Sequence, residues 1–192
     1  MKMDLPVRRF VVSTNENDEV PVYWKTGKYK IIVPSVNCIS SAMNVGHPSN
    51  MARVVSLYKG IMDDKGIIHK QPDIALMRKD MFAVSINDSR TKQTIKEVYE
   101  KHKVLIEPHG AVGWAGLTEN FKANIDDASP HQTSVCIETA HPAKFPEEIK
   151  EILNIDPQLP VSLKGLEEKK EQYDVLENDY SMFKRYLKDK YF

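Results

Sequence analysis

Residues 136–145 lead from an apolar run into a group of polar side chains that are able to do chemistry. Thr139 follows the apolar residues almost at once, and His141 and Lys144 come within the next five positions. A threonine hydroxyl donates and accepts hydrogen bonds at the same time, so it can bind a neutral ring nitrogen without protonating it. The alternative role for Thr139 is structural, because the same hydroxyl can cap the turn before Pro142.

The other reactive side chains of this region also have a structural interpretation. A lysine forms a Schiff base readily when burial lowers its pKa, and the residues around Lys144 do not predict burial, which favours a solvated or packing lysine. We interpret His109 and His141 as hydrogen-bonded structural residues rather than catalytic bases. Cys38 and Cys136 stand far apart with no metal-like spacing, so we expect reduced core thiols and no metal site.

A second candidate site lies at the start of the helix predicted over residues 46–60. Ser49, Asn50 and Arg53 occupy its first turns, after Pro48. Unpaired N–H groups at a helix start, together with an arginine, can hold a phosphate group. Serine and asparagine are also ordinary helix caps, and that structural role stays open for Ser49 and Asn50.

Strands and helices alternate along most of the chain. Apolar runs predict strands over residues 7–12, 82–86, 104–107 and 134–138, and Pro108 and Pro146 each mark a helix start between or after them. This alternation favours an α/β fold with a mostly parallel sheet. Ligands of such sheets bind beyond the carboxyl ends of the strands. We therefore expect the ends of the last two strands to meet, with Thr139 near the helix that starts at Pro108.

The chain after Gly165 has a different pattern. Apolar residues recur there at threes and fours over a polar background: Leu166, Tyr173, Leu176, Tyr180, Phe183 and Leu187. This spacing predicts an amphipathic helix, continuous or broken near Asn178. We expect a main domain over residues 1–160 and a helical tail over residues 161–192, with the tail packed on the domain or paired with a partner helix.

The composition limits the classes of function. The 192 residues contain 27 Lys plus Arg and 27 Asp plus Glu, and this balance argues against binding to nucleic acid or to an anionic membrane surface. No apolar run is long enough to span a membrane, and the first residues lack the apolar core of a signal peptide. We expect a cytoplasmic protein.

Four blocks of this sequence, in order and at matching spacing, resemble the threonine synthase family. They are TNENDEVPVYWKTGKY at residues 14–29, SSAMNVGHPSNMAR at 40–53, IEPHGAVGWAGL at 106–117 and ETAHPAKFPE at 138–147. The resemblance runs from Leu5 to Asp156 and continues more weakly beyond. Glu107 and Asn44 stand where the family has aspartate, and His47 stands where it has asparagine.

The resemblance implies a three-layer α/β fold, that of the fold-type-II enzymes that use pyridoxal phosphate (PLP). It implies the conversion of O-phosphohomoserine and water to threonine and phosphate. By position, Thr139 is expected to face the pyridine nitrogen of PLP, with His109 and Ala140 also at the cofactor. The substrate-binding residues implied by the resemblance are Ser49, Asn50 and Arg53.

The resemblance also implies that part of a complete enzyme is missing from these residues. The family's PLP lysine and its glycine-rich phosphate loop lie upstream of the matching blocks, and no such glycine-rich motif occurs here. We therefore expect a C-terminal portion that does not bind PLP covalently, is inactive alone, and needs an N-terminal half as its partner. Bare strand edges would favour self-association. The alternative is a non-catalytic α/β remnant or interaction module.

Overall fold

A computed structural model describes residues 6–41, 44–166 and 168–192 of the chain. The chain divides into a larger unit that ends at Pro157 and a smaller unit over Gln158–Phe192. In the described residues, no helix has both the length and the apolar character needed to cross a membrane.

The central feature of the larger unit is a pair of parallel strands, β1 (Phe10–Thr14) and β4 (Met81–Ser85). Phe10 pairs with Met81 and Thr14 with Ser85, without a shift in register. A short antiparallel pair, β2 (Ile61–Met62) and β3 (Ile68–Lys70), was not expected from the sequence. The parallel pair and its helices confirm the α/β class. Its first strand begins three residues later than predicted.

The strands predicted over residues 104–107 and 134–138 do not form, and this part of the prediction was wrong. Both segments lie outside helices and strands in the structure. Only four residues separate Lys103, which ends one helix, from Pro108, which starts the next. In the second segment, Val135 and Ile137 are 79% and 76% exposed, so the apolar run that predicted a buried strand is not buried.

Three helices build one of the two largest hydrophobic clusters of the unit. They are α4 (Asp88–His102), α5 (Pro108–Ala123) and α6 (Pro146–Leu153). Their shared cluster consists of Ile95, Val98, Ile106, Ala111 and Ile149. The sequence places the starts of α5 and α6 correctly, because prolines occupy their first positions. Helix α4 is capped by Asn87 and begins at Asp88.

The other cluster joins α1 (Glu19–Thr26), α2 (Met51–Leu57) and α3 (Ile74–Asp80) to the short strands. Its buried residues are Tyr23, Met51, Val55, Tyr58, Met62 and Met77. Helix α1 ends at Gly27, whose φ of 72° is a left-handed conformation that glycine adopts easily. Helix α2 is shorter than the predicted 46–60, because it begins only after Asn50.

The smaller unit contains one α-helix among its described residues, α7 (Tyr180–Tyr191). Asp179 caps it by accepting a hydrogen bond from Met182 N at 2.8 Å. The helix therefore starts just after the break that was expected near Asn178. The described residues between 166 and 179 are not helical. Tyr173 and Val175 are 74% and 84% exposed, so this stretch lacks the packing that normally stabilises a short helix.

Candidate functional site

The start of α5 is organised by the carboxylate of Glu107, which is completely buried. One oxygen accepts a hydrogen bond from Gly110 N at 2.8 Å, and the other accepts from His109 N at 2.7 Å. His109 Nδ1 lies 2.7 Å from the second oxygen as well. A carboxylate at this place satisfies the N–H groups that a helix start leaves unpaired and complements the positive end of the helix dipole.

The segment that carries Thr139 is attached to this helix start. Glu138 Oε1 accepts a hydrogen bond from Glu107 N at 2.8 Å, and Cys136 Sγ lies 3.8 Å from Gly110 O. The expected meeting of residues 104–107 with residues 134–138 is therefore confirmed, although side chains rather than a strand ladder join them.

Glycines on α5 allow this close approach. A Cβ at Gly110 would lie 3.1 Å from Glu138 Oε1, and one at Gly113 would lie 3.0 Å from Cys136 Sγ. One turn further on, a Cβ at Gly116 would lie 1.7 Å from the Ser13 hydroxyl oxygen of β1. The absence of side chains at these positions therefore permits α5 to pack closely against its neighbours.

The residues after Thr139 have the structural roles that the sequence favoured. His141, not Thr139, caps the turn at Pro142, because its Nδ1 accepts a hydrogen bond from Ala143 N at 3.1 Å. Lys144 is exposed, and its Nζ lies 6.0 Å from the ring centroid of Phe145. The same ring lies 5.2 Å from that of His109, between centroids. The turn thus packs against the helix start and leaves the Thr139 hydroxyl free of a capping role.

A cavity of about 1080 Å³ lies between β1, α5 and the extended segment at residues 131–139. It is slightly larger than small-molecule pockets, which span roughly 300–1,000 Å³. Thr139 and His109 both line it, and so do Pro48 and the loop after β1. The structure therefore brings two of the three expected cofactor residues to one cavity. Ala140 is not among its lining residues.

The expected substrate residues lie elsewhere in the structure. Ser49, Asn50 and Arg53 are exposed at the start of α2 and do not line the cavity, whereas their neighbour Pro48 does. Asn50 occupies the cap position of α2, but its side chain makes no capping hydrogen bond to the described residues. Their role in substrate binding stays a prediction.

One end of the cavity wall carries an ion-pair cluster that the sequence analysis missed. Asp127, which is buried, lies 3.2 Å from Arg8 Nε and 3.3 Å from Arg9 Nε. Asn120 Nδ2 of α5 donates a hydrogen bond to the same carboxylate at 3.0 Å. The two adjacent arginines were visible in the sequence, but their partner lies more than a hundred residues away, and no local signal connects them.

A buried carboxylate on the wall of the same cavity was also not expected from the sequence. Glu19 begins α1 and is only 3% exposed. Burial raises the pKa of Glu19 above its ordinary value, and the nearby charge of Asp18 raises it further. An acidic residue at a helix start looks ordinary in a sequence, because such residues usually face solvent and complement the helix dipole.

Neither cysteine is activated. Both thiols are free, with Cys38 buried and Cys136 half-buried. Burial raises the pKa of both thiols, and the charge of Glu138 adds to the increase at Cys136. A nucleophilic cysteine needs the opposite shift.

One group in the described residues has metal-compatible atoms close together, formed by Glu16, Cys38 and Asp88. Its ligand atoms lie within 4.8 Å of one another. Both oxygens of Asp88 already lie within hydrogen-bond distance of Ile39 N, at 3.1 and 3.3 Å. This arrangement is explained by loop anchoring and does not by itself indicate a metal.

Comparisons with known proteins agree on one relationship. A family model described as threonine synthase, C-terminal, matches residues 111–187. Threonine synthase of Haemophilus influenzae is 34% identical over 96% of this chain, and that of Buchnera aphidicola from Baizongia pistaciae is 32% identical over 98% of it. The chain spans only 38% and 39% of the length of these relatives.

Solved structures give the same result for the fold. Yeast threonine synthase matches 98% of this chain with a TM-score of 0.76 and 25% identity, and the chain covers 43% of it. A PLP-bound threonine synthase from Brucella melitensis matches 98% with a TM-score of 0.75 and 25% identity, and the chain covers 41% of it. The α/β fold expected from the sequence is thus that of the corresponding part of threonine synthases.

Proposed function

We propose that this chain, which resembles the C-terminal part of threonine synthases, forms one wall of a PLP-dependent site that converts O-phosphohomoserine and water to threonine and phosphate. The observation that carries the proposal is the placement of Thr139 and His109 on one cavity, at the start of α5. The relatives are more than twice as long as this chain, so a complete site would include residues from a further polypeptide segment.

The residues of the cavity fit such a cofactor. Thr139 lines the cavity, and His141 rather than Thr139 caps the following turn. The carboxylate of Glu107 is enclosed by the helix N–H groups, so it does not compete for a ring nitrogen at this wall. When bound, PLP supplies an electron sink for carbanion chemistry.

The contribution of this chain is orientation and proton placement. The Thr139 hydroxyl can donate a hydrogen bond to a ring nitrogen while the ring stays neutral, whereas a carboxylate there would favour a protonated ring. Glu138 and Cys136 hold the Thr139 segment against α5, and His109 completes the wall beside it. We further propose that Ser49, Asn50 and Arg53 approach the phosphate side of the substrate, and that the protein acts in the cytoplasm.

A chimeric enzyme tests this function directly. The matching region of Haemophilus influenzae threonine synthase is replaced by this chain, and phosphate release from O-phosphohomoserine is measured with and without added PLP. We expect PLP-dependent turnover. Thr139→Val should reduce kcat by about twofold to tenfold, since loss of one hydrogen bond to a neutral group costs about 0.5–1.5 kcal/mol. Thr139→Ser should retain most of the activity.

Thr26→Val is the matched control, because its hydroxyl makes only local hydrogen bonds at the end of α1, donating to Val22 O at 2.7 Å and accepting from Lys28 N at 3.1 Å. It should leave turnover unchanged. A folded chimera without turnover would contradict the proposed function and favour the non-catalytic alternative. Full activity in the Thr139→Val chimera would remove the role given to Thr139 alone.

A further inference from the structure

Four side chains of the cavity wall have a buried oxygen without a hydrogen-bond partner in the described structure: Ser13, Glu19, Ser40 and Asp127. Asp127 is ion-paired with Arg8 and Arg9, and Ser13 packs against Gly116 of α5, whereas Glu19 Oε2 and Ser40 Oγ have no such explanation. Glu19 is 3% exposed and Ser40 is 4% exposed, and both line the cavity. Buried polar atoms in folded proteins are nearly always hydrogen-bonded, so two unsatisfied oxygens on one cavity point to a ligand that supplies donors.

The loops that carry these oxygens are held firmly in place. Asn15 Nδ2 donates to Ser40 O at 3.2 Å, and Asn15 Oδ1 accepts from Asn17 N at 3.0 Å. Asn17 in turn donates to Val36 O at 2.9 Å and accepts from Val36 N at 2.8 Å. This network fixes residues 36–40 beside the loop that leads into Glu19. The unsatisfied oxygens therefore belong to a built site and not to a loose surface.

The nearby titratable groups among the described residues do not hydrogen-bond to Glu19 Oε2. His47 has both ring nitrogens engaged elsewhere, Nδ1 at 2.7 Å from the Tyr29 hydroxyl and Nε2 at 3.1 Å from Asp64 O. Burial, together with the charge of Glu19, raises the pKa of Tyr29, so its hydroxyl stays protonated. Asp18 adds a second negative charge in the neighbourhood. The charge of His47 lowers the pKa of Glu19 slightly against these effects, but no cationic side chain of the described residues forms an ion pair with Glu19, and Glu19 Oε2 accepts no hydrogen bond from them.

We propose that Glu19 and the Ser40 hydroxyl bind a nitrogen cation, an ammonium or guanidinium group, that enters the cavity. A cationic N–H donor would satisfy the carboxylate with charge-assisted hydrogen bonds and offset its loss of hydration. The cation has two possible sources, the amino group of a small amino acid or a lysine or arginine side chain of another polypeptide. The first source rests on the proposed function, whose substrate carries an ammonium group.

The test is a titration of the full chain followed by amide NMR. The probes are L-homoserine, 4-hydroxybutyrate as its counterpart without an amine, and N-acetyl-lysine methylamide as a side-chain cation. We expect the two amines, but not 4-hydroxybutyrate, to shift the amide signals of Glu19 and Ser40. Glu19→Gln should weaken the effect at least tenfold, and Ser40→Ala should weaken it less. Tighter binding of homoserine would identify a small molecule, and tighter binding of the lysine derivative a polypeptide.

Glu16→Gln is the matched control, because Glu16 is exposed, lies three residues before Glu19 and does not line the cavity. It should bind both amines as the unchanged chain does. An equal response to potassium chloride, an absence of amine-specific shifts at high millimolar concentration, or undiminished binding in a folded Glu19→Gln variant would overturn the proposal. If amines bind at Glu19 while the chimeric enzyme is inactive, the cation site stands and the proposed function fails.

Discussion

Glu107 and Glu19 are both buried glutamates, but their surroundings differ. Glu107 accepts hydrogen bonds from two backbone N–H groups and lies beside His109 Nδ1, while an oxygen of Glu19 has no partner in the described residues. The first carboxylate is explained by the fold, because it caps α5 and anchors the turn beside it. The second is not, because burial without a partner opposes folding. A buried charged side chain indicates a functional site only when the hydrogen bonds and ion pairs of the fold do not already satisfy it.

The largest change in stability is expected at Glu107, the carboxylate whose hydrogen bonds are satisfied. Glu107→Ala should lower the free energy of unfolding by about 3 kcal/mol, because it removes the α5 cap and leaves buried N–H groups unpaired. Urea denaturation of the full chain measures this loss. Glu119→Ala on the same helix is the control and should cost below about 0.5 kcal/mol, since its pair with Lys122 lies at the surface. Equal losses in both variants would remove the distinction between the two sites.

A second variant tests whether the helix beside Glu107 is as closely packed as its contacts indicate. Gly116→Ala should destabilise the protein by about 2 kcal/mol, because the new Cβ would lie 1.7 Å from Ser13 Oγ and 2.7 Å from Ser13 Cβ. Ser13→Gly in the same chain should recover part of the loss, and thermal unfolding of the double-mutant cycle measures the coupling. Additive effects would mean that α5 and β1 do not touch there.

Substitution of Glu19, the carboxylate with an unsatisfied oxygen, should raise the stability of the chain instead of lowering it. Glu19→Gln should stabilise the chain by about 1 kcal/mol at neutral pH, because it removes a buried charge without a partner. The folded pKa of Glu19 lies above the unfolded one, so the folded state holds its proton longer. Wild-type stability therefore falls as pH rises from the ordinary glutamate pKa to the raised value, and then levels off.

The stability difference between the Glu19→Gln variant and the wild type should thus grow over that pH range. Urea titrations at several pH values provide the measurement, with Glu16→Gln as the exposed counterpart. A Glu19→Gln variant that is less stable than wild type at neutral pH would show that the carboxylate already has a partner and would end the comparison.

The smallest change in stability is expected at Glu138, whose side chain joins the Thr139 segment to the start of α5. Glu138→Gln keeps an oxygen that can accept from Glu107 N, so stability should change by below about 0.5 kcal/mol. Glu138→Ala removes the acceptor and should cost clearly more. If both variants behave alike in urea denaturation, the contact between residues 107 and 138 does not hold the Thr139 segment in place.

Local signals in the sequence predicted the elements that they mark. Pro108 and Pro146 correctly placed the starts of two helices, because each proline acts on the backbone at its own position. The runs at 104–107 and 134–138 gave a wrong prediction of strands. A strand needs a partner along its edge, and neither composition nor periodicity tells whether one is present.

The sequence by itself determined the helix starts that prolines mark and the resemblance to threonine synthases, and it singled out the segment around Thr139. Only the tertiary structure decided which polar residues share a cavity and which are satisfied. Arg8 and Asp127, or Glu107 and Glu138, are far apart in the chain, and their pairing depends on how β1, α5 and the extended segment pack. The same holds for Glu19, since burial and hydrogen bonding are set by neighbours from several elements and leave no local pattern in the sequence.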